Sequence, residues 1–239
     1  MIEPLLLACT RVSTFSGERL LTAASGFLFE RAGRLFFVTN RHVLVDASNH
    51  HHPDRIELAV HTDAVDLSRF AVVSVPLYAK GKGRWRQAED SGGDVDVAAI
   101  ELDRAALPKS VVLRAFTLDH LQGPLEEIGI GTPLLVVGFP LGFYDTVHNL
   151  PVARQAAVAS AFGVRFQEKG YFLTDARTHR GTSGAPVVMR DPGGDPGLPW
   201  KLLGIHAARI DMRTREEGVD ESLGLNSAWY ADILRTLTA

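Results

Sequence analysis

At 239 residues, with 46% hydrophobic and 22% charged side chains, the chain can bury a sizeable core, as one large domain or two small ones, and is not of disordered composition. Its 25 Lys and Arg against 28 Asp and Glu leave a net charge of -3, with no basic block interleaved with aromatics, so nucleic acid is not an expected partner. The single cysteine, Cys9, excludes an intrachain disulfide framework, and no apolar run approaches the ~20 residues of a membrane span, so no membrane partner is expected either.

Residues 5–12 are expected to form the first strand. The run Leu6-Leu7-Ala8-Cys9 invites an export-signal reading, but no Lys or Arg precedes it and Glu3 stands where basic residues belong. With the lone cysteine, this gives an expectation of cytoplasmic residence. Apolar runs at 25–30 and 35–39 flank Arg31-Ala32-Gly33-Arg34 and predict a hairpin, which delivers His42 within Val38-Thr39-Asn40-Arg41-His42-Val43-Leu44. The next segment, Asn49-His50-His51-His52-Pro53-Asp54, could bind zinc or nickel weakly, but adjacent side chains rarely converge on one ion, so we expect an exposed loop with no metal.

Further strands are expected at 56–61, 71–77, 97–102 and 111–116, separated by Gly-, Pro- or Asp-rich breaks. Between the second and third lies the basic stretch Lys80-Gly81-Lys82-Gly83-Arg84-Trp85-Arg86, a solvated hairpin by its composition; a part in guiding acidic substrates stays open. Asp96 stands just before the third of these strands in Asp94-Val95-Asp96-Val97-Ala98-Ala99-Ile100, with Asp94 as its substitute. Residues 118–131, around Gln122-Gly123-Pro124, are less apolar and set a boundary between two units, 1–120 and 121–239. The second half repeats the style at 133–139, 156–162, 171–174, 185–189, 202–207 and 223–226. Residues 227–237 carry apolar side chains at helical spacing behind Ser227 and predict a short terminal helix. Many short strands at regular spacing suggest an all-β barrel or sandwich.

One stretch carries chemistry: Thr178-His179-Arg180-Gly181-Thr182-Ser183-Gly184-Ala185-Pro186. A serine hydroxyl is a poor nucleophile unless a base stands beside it and backbone N–H groups can hold an oxyanion. Gly181 and Gly184 let the chain curl so that the amides of Gly181 and Ser183 can point into one hollow. The same residues would also suit a surface turn ahead of an inner strand.

Taken with His42 and Asp96, in the chain order His, Asp, Ser, the sequence resembles the trypsin-like (chymotrypsin-fold) serine peptidases, in particular the bacterial single-domain and protease-Do-like branches. The resemblance rests on Thr39 with His42, on Asp96 with Val97 and Ala98, and on Gly181 through Pro186, and covers nearly the whole chain. It implies two six-stranded antiparallel β-barrels, a His42, Asp96, Ser183 triad at the cleft between them, an oxyanion hole of the Gly181 and Ser183 amides, and no cofactor. Phe139-Pro140-Leu141-Gly142 resembles the bacterial branch's Gly-Phe-Pro-x-Gly segment and is expected to shape the entrance to the second barrel. Thr182 stands where zymogen-activated members carry an aspartate. That departure implies activity as synthesised, or gating by a loop or a regulatory protein partner; the oligomeric state stays open.

By the same resemblance, the specificity pocket lies between Arg177, Thr178 and His179 on one side and the segment from Gly204 to Arg209 on the other. His206 and Thr178 fall where glutamyl endopeptidases and viral 3C-type proteases place a histidine and a hydroxyl that contact a Glu or Gln side chain. No aspartate occupies the pocket base, so a polar or acidic P1 residue is expected, helped by Arg177 or Arg209, rather than Lys or Arg. A small-residue preference, with His206 as a core histidine, is the other reading of the pocket. The backbone of Ala207 to Arg209 is expected to pair with an extended protein or peptide substrate. The competing function is a catalytically silent module of the same fold that binds extended peptides.

Overall fold

The computed structural model describes residues 2–123, 127–213 and 220–239. Two β structures dominate. The first is a seven-stranded antiparallel sheet built from β1 (Cys9–Ser16), β2 (Arg19–Arg31), β3 (Arg34–Thr39), β4 (Arg55–His61), β5 (Phe70–Pro76), β6 (Trp85–Arg86) and β7 (Ala98–Leu102), in the order β5-β4-β1-β2-β3-β7-β6. The second is a closed barrel of β8 (Pro133–Gly138), β9 (Val152–Val158), β10 (Tyr171–Ala176), β11 (Pro186–Arg190), β12 (Trp200–Arg213) and β13 (Asp220–Tyr230), in the order β8-β9-β10-β13-β12-β11.

The expected hairpin is present: Arg31 pairs with Arg34 across a two-residue turn in which Ala32 and Gly33 both take positive φ, the twist that joins adjacent strands tightly. From Ala24 to Phe29 in β2, and along β3, both faces are buried because each face serves a different core. Phe27, Phe29, Phe36 and Val38 point into the layer shared with Val137, Val188, Leu202 and Ile205 of the barrel. Leu28, Leu35 and Phe37 point the other way, onto Val12, Ile56, Leu58 and Ile100. A third cluster, with Leu134, Val136, Phe172, Val187 and Leu203, fills the barrel itself. Period-two alternation thus holds throughout, with no polar face to reveal it in the sequence.

The expectation of two closed barrels needs correction, because the first sheet stays open. Residues 111–116, expected as a strand, form no ladder: the Val112 amide goes to the His61 carbonyl, whereas Phe116 exchanges bonds with Leu28 and Glu30 of β2. A segment that spends its donors on two non-adjacent strands cannot close the gap, and β6, two residues long, cannot either.

The bounds of five elements also move. The chain opens with a one-turn helix, α1 (Pro4–Ala8), before β1, because Pro4 suits a first helical turn and the Glu3 carboxylate caps Leu5. The strand expected at 156–162 lies at Val152–Val158, and Phe162 instead packs from a loop onto Phe172 and Tyr230, with ring centroids 4.9 and 5.1 Å apart. Strands β12 and β13 run well beyond the runs 202–207 and 223–226. The terminal helix starts later than expected: Ser227 to Tyr230 complete β13 against β10 and β12, and the helical turns are Ala231–Ile233 and α3 (Leu234–Leu237). α2 is the single turn Arg41–Leu44 after β3. Of the expected bridge at 118–131, residues 124–126 lie outside the described residues; Leu118–His120 forms a 3-10 turn. No helix among the described residues is long and apolar enough to cross a membrane.

Candidate active site

The register of β3 against β7 pairs Thr39 with Ala98, which brings the segment ahead of β7 beside the residues that follow β3. Asp96 then grips His42 at two points. One carboxylate oxygen accepts from the His42 backbone N–H at 2.9 Å and the other meets Nδ1 at 2.7 Å, while Asn40 Nδ2 donates to the Asp96 carbonyl at 2.7 Å. A carboxylate can only accept, so neutral His42 carries its proton on Nδ1 and presents the lone pair of Nε2. Burial disfavours the charged ring, but the hydrogen bond and charge of Asp96 outweigh it and hold the His42 pKa above its ordinary value. Asp94, the substitute, makes a partly exposed ion pair with Arg41 at 3.1 Å instead.

Ser183 sits in the turn between β10 and β11, half-buried, with Gly181 and Gly184 at φ +89 and +84. The backbone of that turn can be accounted for group by group. The carbonyls of Arg180, Gly181, Thr182 and Ser183 accept, in order, from Leu141 N (2.6 Å), Ser25 Oγ (2.7 Å), Ala185 N (2.9 Å) and Ser25 N (3.0 Å). The amides of Thr182 and Gly184 donate to the carbonyls of His179 (3.2 Å) and His206 (2.9 Å). Among the described residues, nothing accepts from the amides of Gly181 and Ser183, which flank the hydroxyl.

The turn presses against the first sheet. A Cβ at Gly184 would fall 3.0 Å from Thr39 Cα, three residues before His42. The Ser183 hydroxyl, however, donates to the Ala207 carbonyl at 3.1 Å rather than to the His42 ring. Ala207 is the extra residue of a bulge: His206 pairs with Ala228 and Ala208 with Ser227. Such a bulge re-aims the backbone locally.

The expected pocket residues are distributed unevenly. The Thr178 hydroxyl donates to Asn226 Oδ1, and Asn226 Nδ2 in turn donates to the Ala176 carbonyl at 2.7 Å. Thr178 and Asn226 help to line a cavity of about 340 Å³ with Asp175, Arg177, Arg209 and Leu225. His206 does not line this cavity. It is 2% exposed, its Nδ1 has no hydrogen-bond partner among the described residues, and burial, with a smaller contribution from His42, lowers its pKa to about 4, so the ring is neutral at pH 7. Sequence reasoning missed Asp175, which lines the same cavity as the two arginines, as well as Asn226 and Ser25. The motif gave no signal for any of them, since each acts from a neighbouring strand. The Phe139–Gly142 segment lies against the turn itself, through the Leu141 amide, rather than at the entrance to the barrel alone.

Residues 24–194 match the family model described as a trypsin-like peptidase domain, over more than half of the chain. The chain belongs to the trypsin-like peptidase family. None of the curated proteins searched matches it significantly. Among solved structures it is similar in fold to a variant of the HtrA-type protease AlgW with a tripeptide (TM-score 0.59, 16% identity, covering 98% of this chain and 59% of that one). It is also similar to the serine endoprotease from Yersinia pestis (TM-score 0.57, 17% identity, covering 98% and 62%). This family member therefore spans about three-fifths of the length of those proteins.

Proposed function

We propose that the chain is a serine endopeptidase that cleaves peptide bonds through an acyl-enzyme, with Ser183 as nucleophile, His42 as base and Asp96 as the group that orients it. The observation that carries this reading is the pair of unclaimed amides, Gly181 and Ser183, beside a hydroxyl in a turn whose other backbone groups are bonded. For attack, Oγ leaves the Ala207 carbonyl by rotating about χ1 to another staggered position and gives its proton to His42 Nε2 as it bonds to the scissile carbon. The carbonyl oxygen becomes an oxyanion facing the two amides. His42 then passes the proton to the departing amine nitrogen as the C–N bond breaks, and water repeats the sequence on the ester.

An active-site-directed fluorophosphonate tests this reading. One label per chain is expected, mapped to Ser183 by peptide mass spectrometry and lost in Ser183→Ala. Labelling that persists in the variant removes Ser183 from its role, and no labelling of the native protein leaves the silent, peptide-binding module.

An extended peptide along residues 207–209 is part of the proposal, and so is a polar or acidic P1 side chain. Arg177 and Arg209 favour a carboxylate or amide in the cavity, with Asp175 reducing the net positive charge. His206, buried outside the cavity lining and neutral, adds no charge to it. A P1-randomised peptide library should be cut mainly after Glu, Gln or Asp; cleavage centred on Lys, Arg or large aromatics would sink the P1 assignment.

A further inference from the structure

Ser25, on β2, is fully buried and makes four hydrogen bonds that reach three segments of the site. Its amide donates to the Ser183 carbonyl at 3.0 Å, and its carbonyl accepts from Thr39 Oγ1 at 2.9 Å. Its hydroxyl donates to the Gly181 carbonyl at 2.7 Å and accepts from the Phe139 amide at 2.9 Å. The two backbone contacts would survive many substitutions; the two hydroxyl contacts belong to serine.

We infer that Ser25 is a positioning residue of the oxyanion turn: its hydroxyl fixes the plane of the Gly181–Thr182 peptide and ties it to the Phe139–Gly142 segment. A trans peptide points its C=O and N–H in opposite directions, so holding a carbonyl fixes where the amide of the same plane points. The Leu141 amide holds the Arg180 carbonyl at 2.6 Å and so aims the Gly181 N–H, while Ser25 Oγ holds the next carbonyl and, through Phe139, the start of the segment that carries Leu141. Both bonds are needed, because Gly181 has no side chain and at φ +89 has few steric limits of its own. There is little slack around the hydroxyl: a Cβ at Gly138 would fall 2.5 Å from Ser25 Oγ. Without this oxygen the Gly181 carbonyl loses its donor, and the plane is held on one edge alone, by the Thr182 amide on the His179 carbonyl at 3.2 Å.

The inference rests on the hydrolase reading, and the experiment keeps the two separable. Ser25→Ala is compared with the native protein in three measurements: the second-order rate of fluorophosphonate labelling, kcat and KM on a cleaved peptide from the randomised library, and amide hydrogen exchange. A ten- to hundredfold fall in labelling rate and kcat is expected, with KM and the pH inflection of activity unchanged. This is less than the ~10²–10³ that follows removal of an oxyanion donor itself. Amides of the 139–142 and 181–184 segments should exchange at least tenfold faster, with global protection retained. A labelling rate within twofold of native overturns the inference, even if thermal stability falls, since a residue with only a packing role would do that. If the native protein takes no label, the hydrolase reading fails by itself, and Ser25 is judged on exchange alone: unchanged exchange in both segments overturns it. Should Ser25→Ala not fold, Ser25→Gly removes the same oxygen and is read by the same criteria.

Discussion

Asp96→Asn should lower kcat/KM by on the order of 10⁴-fold while the protein stays folded. The carboxylate does two things that an amide cannot do together: it accepts from the His42 backbone N–H and from Nδ1–H. An amide facing Nδ1 through its NH₂ group stabilises the other tautomer, with the proton on Nε2, where it blocks acceptance from Ser183. The pH dependence checks the same point. His42 must be neutral to act as a base, and its pKa is held above the ordinary histidine value, so native activity should rise with pH through an inflection above ~6.5. In the variant burial still disfavours the charged ring and Asp96 no longer offsets it, leaving only the smaller influence of Asp46 against that of Arg41, so the residual activity should inflect at lower pH. Asp94→Asn is the control, because its partner is Arg41, and it should stay within a few-fold of native. An equal loss in both variants, or a loss under tenfold in Asp96→Asn, would contradict the assignment.

Gly184→Ala should cost about 3 kcal/mol or more, from overpacking and from a left-handed backbone together. For a chain of this size that is a fall in Tm of roughly 6 to 12 °C, with activity lost as well. The new methyl would lie 2.2 Å from the Ser25 carbonyl oxygen and 2.3 Å from Thr39 Oγ1, at φ +84. The first of these is backbone within a sheet and the second is committed to a hydrogen bond, so the turn itself must shift, carrying Ser183 with it. Gly33→Ala separates crowding from backbone strain: φ there is +78, but nothing lies within 4 Å. It should cost only about 1 to 2 kcal/mol. Equal losses at the two positions would show that crowding against Ser25 and Thr39 is not what decides the effect.

The parts of the chain that were legible in the sequence are those where local chemistry and tertiary context agree. Arg31-Ala32-Gly33-Arg34 has to turn, and the runs beside it have to pair, so the hairpin that presents His42 could be placed closely. The Thr178 to Pro186 turn carried its own signal, because two glycines at positive φ are a local requirement. What could not be read depends on partners distant in sequence. Residues 111–116 have a strand-like composition yet divide their bonds between His61 and β2, which no window of sequence reveals. Ser227 to Tyr230 fit helical spacing equally well until the ladders with β10 and β12 claim them. His206 was placed by resemblance as a pocket residue, and only the packing around it shows a ring sealed from the cavity.

The pairing of Thr39 with Ala98 also has a bearing on how the molecule matures. Side chains alternate across a sheet, so an offset of one residue between β3 and β7 would turn Asp96 away from His42 and reverse the two apolar layers at the same time. The same hydrophobic sorting that rejects misaligned chains therefore also rejects chains with a miswired base. On the proposed mechanism, a nascent polypeptide of this sequence would gain hydrolytic activity only once this register is set, and until then would pose no proteolytic hazard to its neighbours.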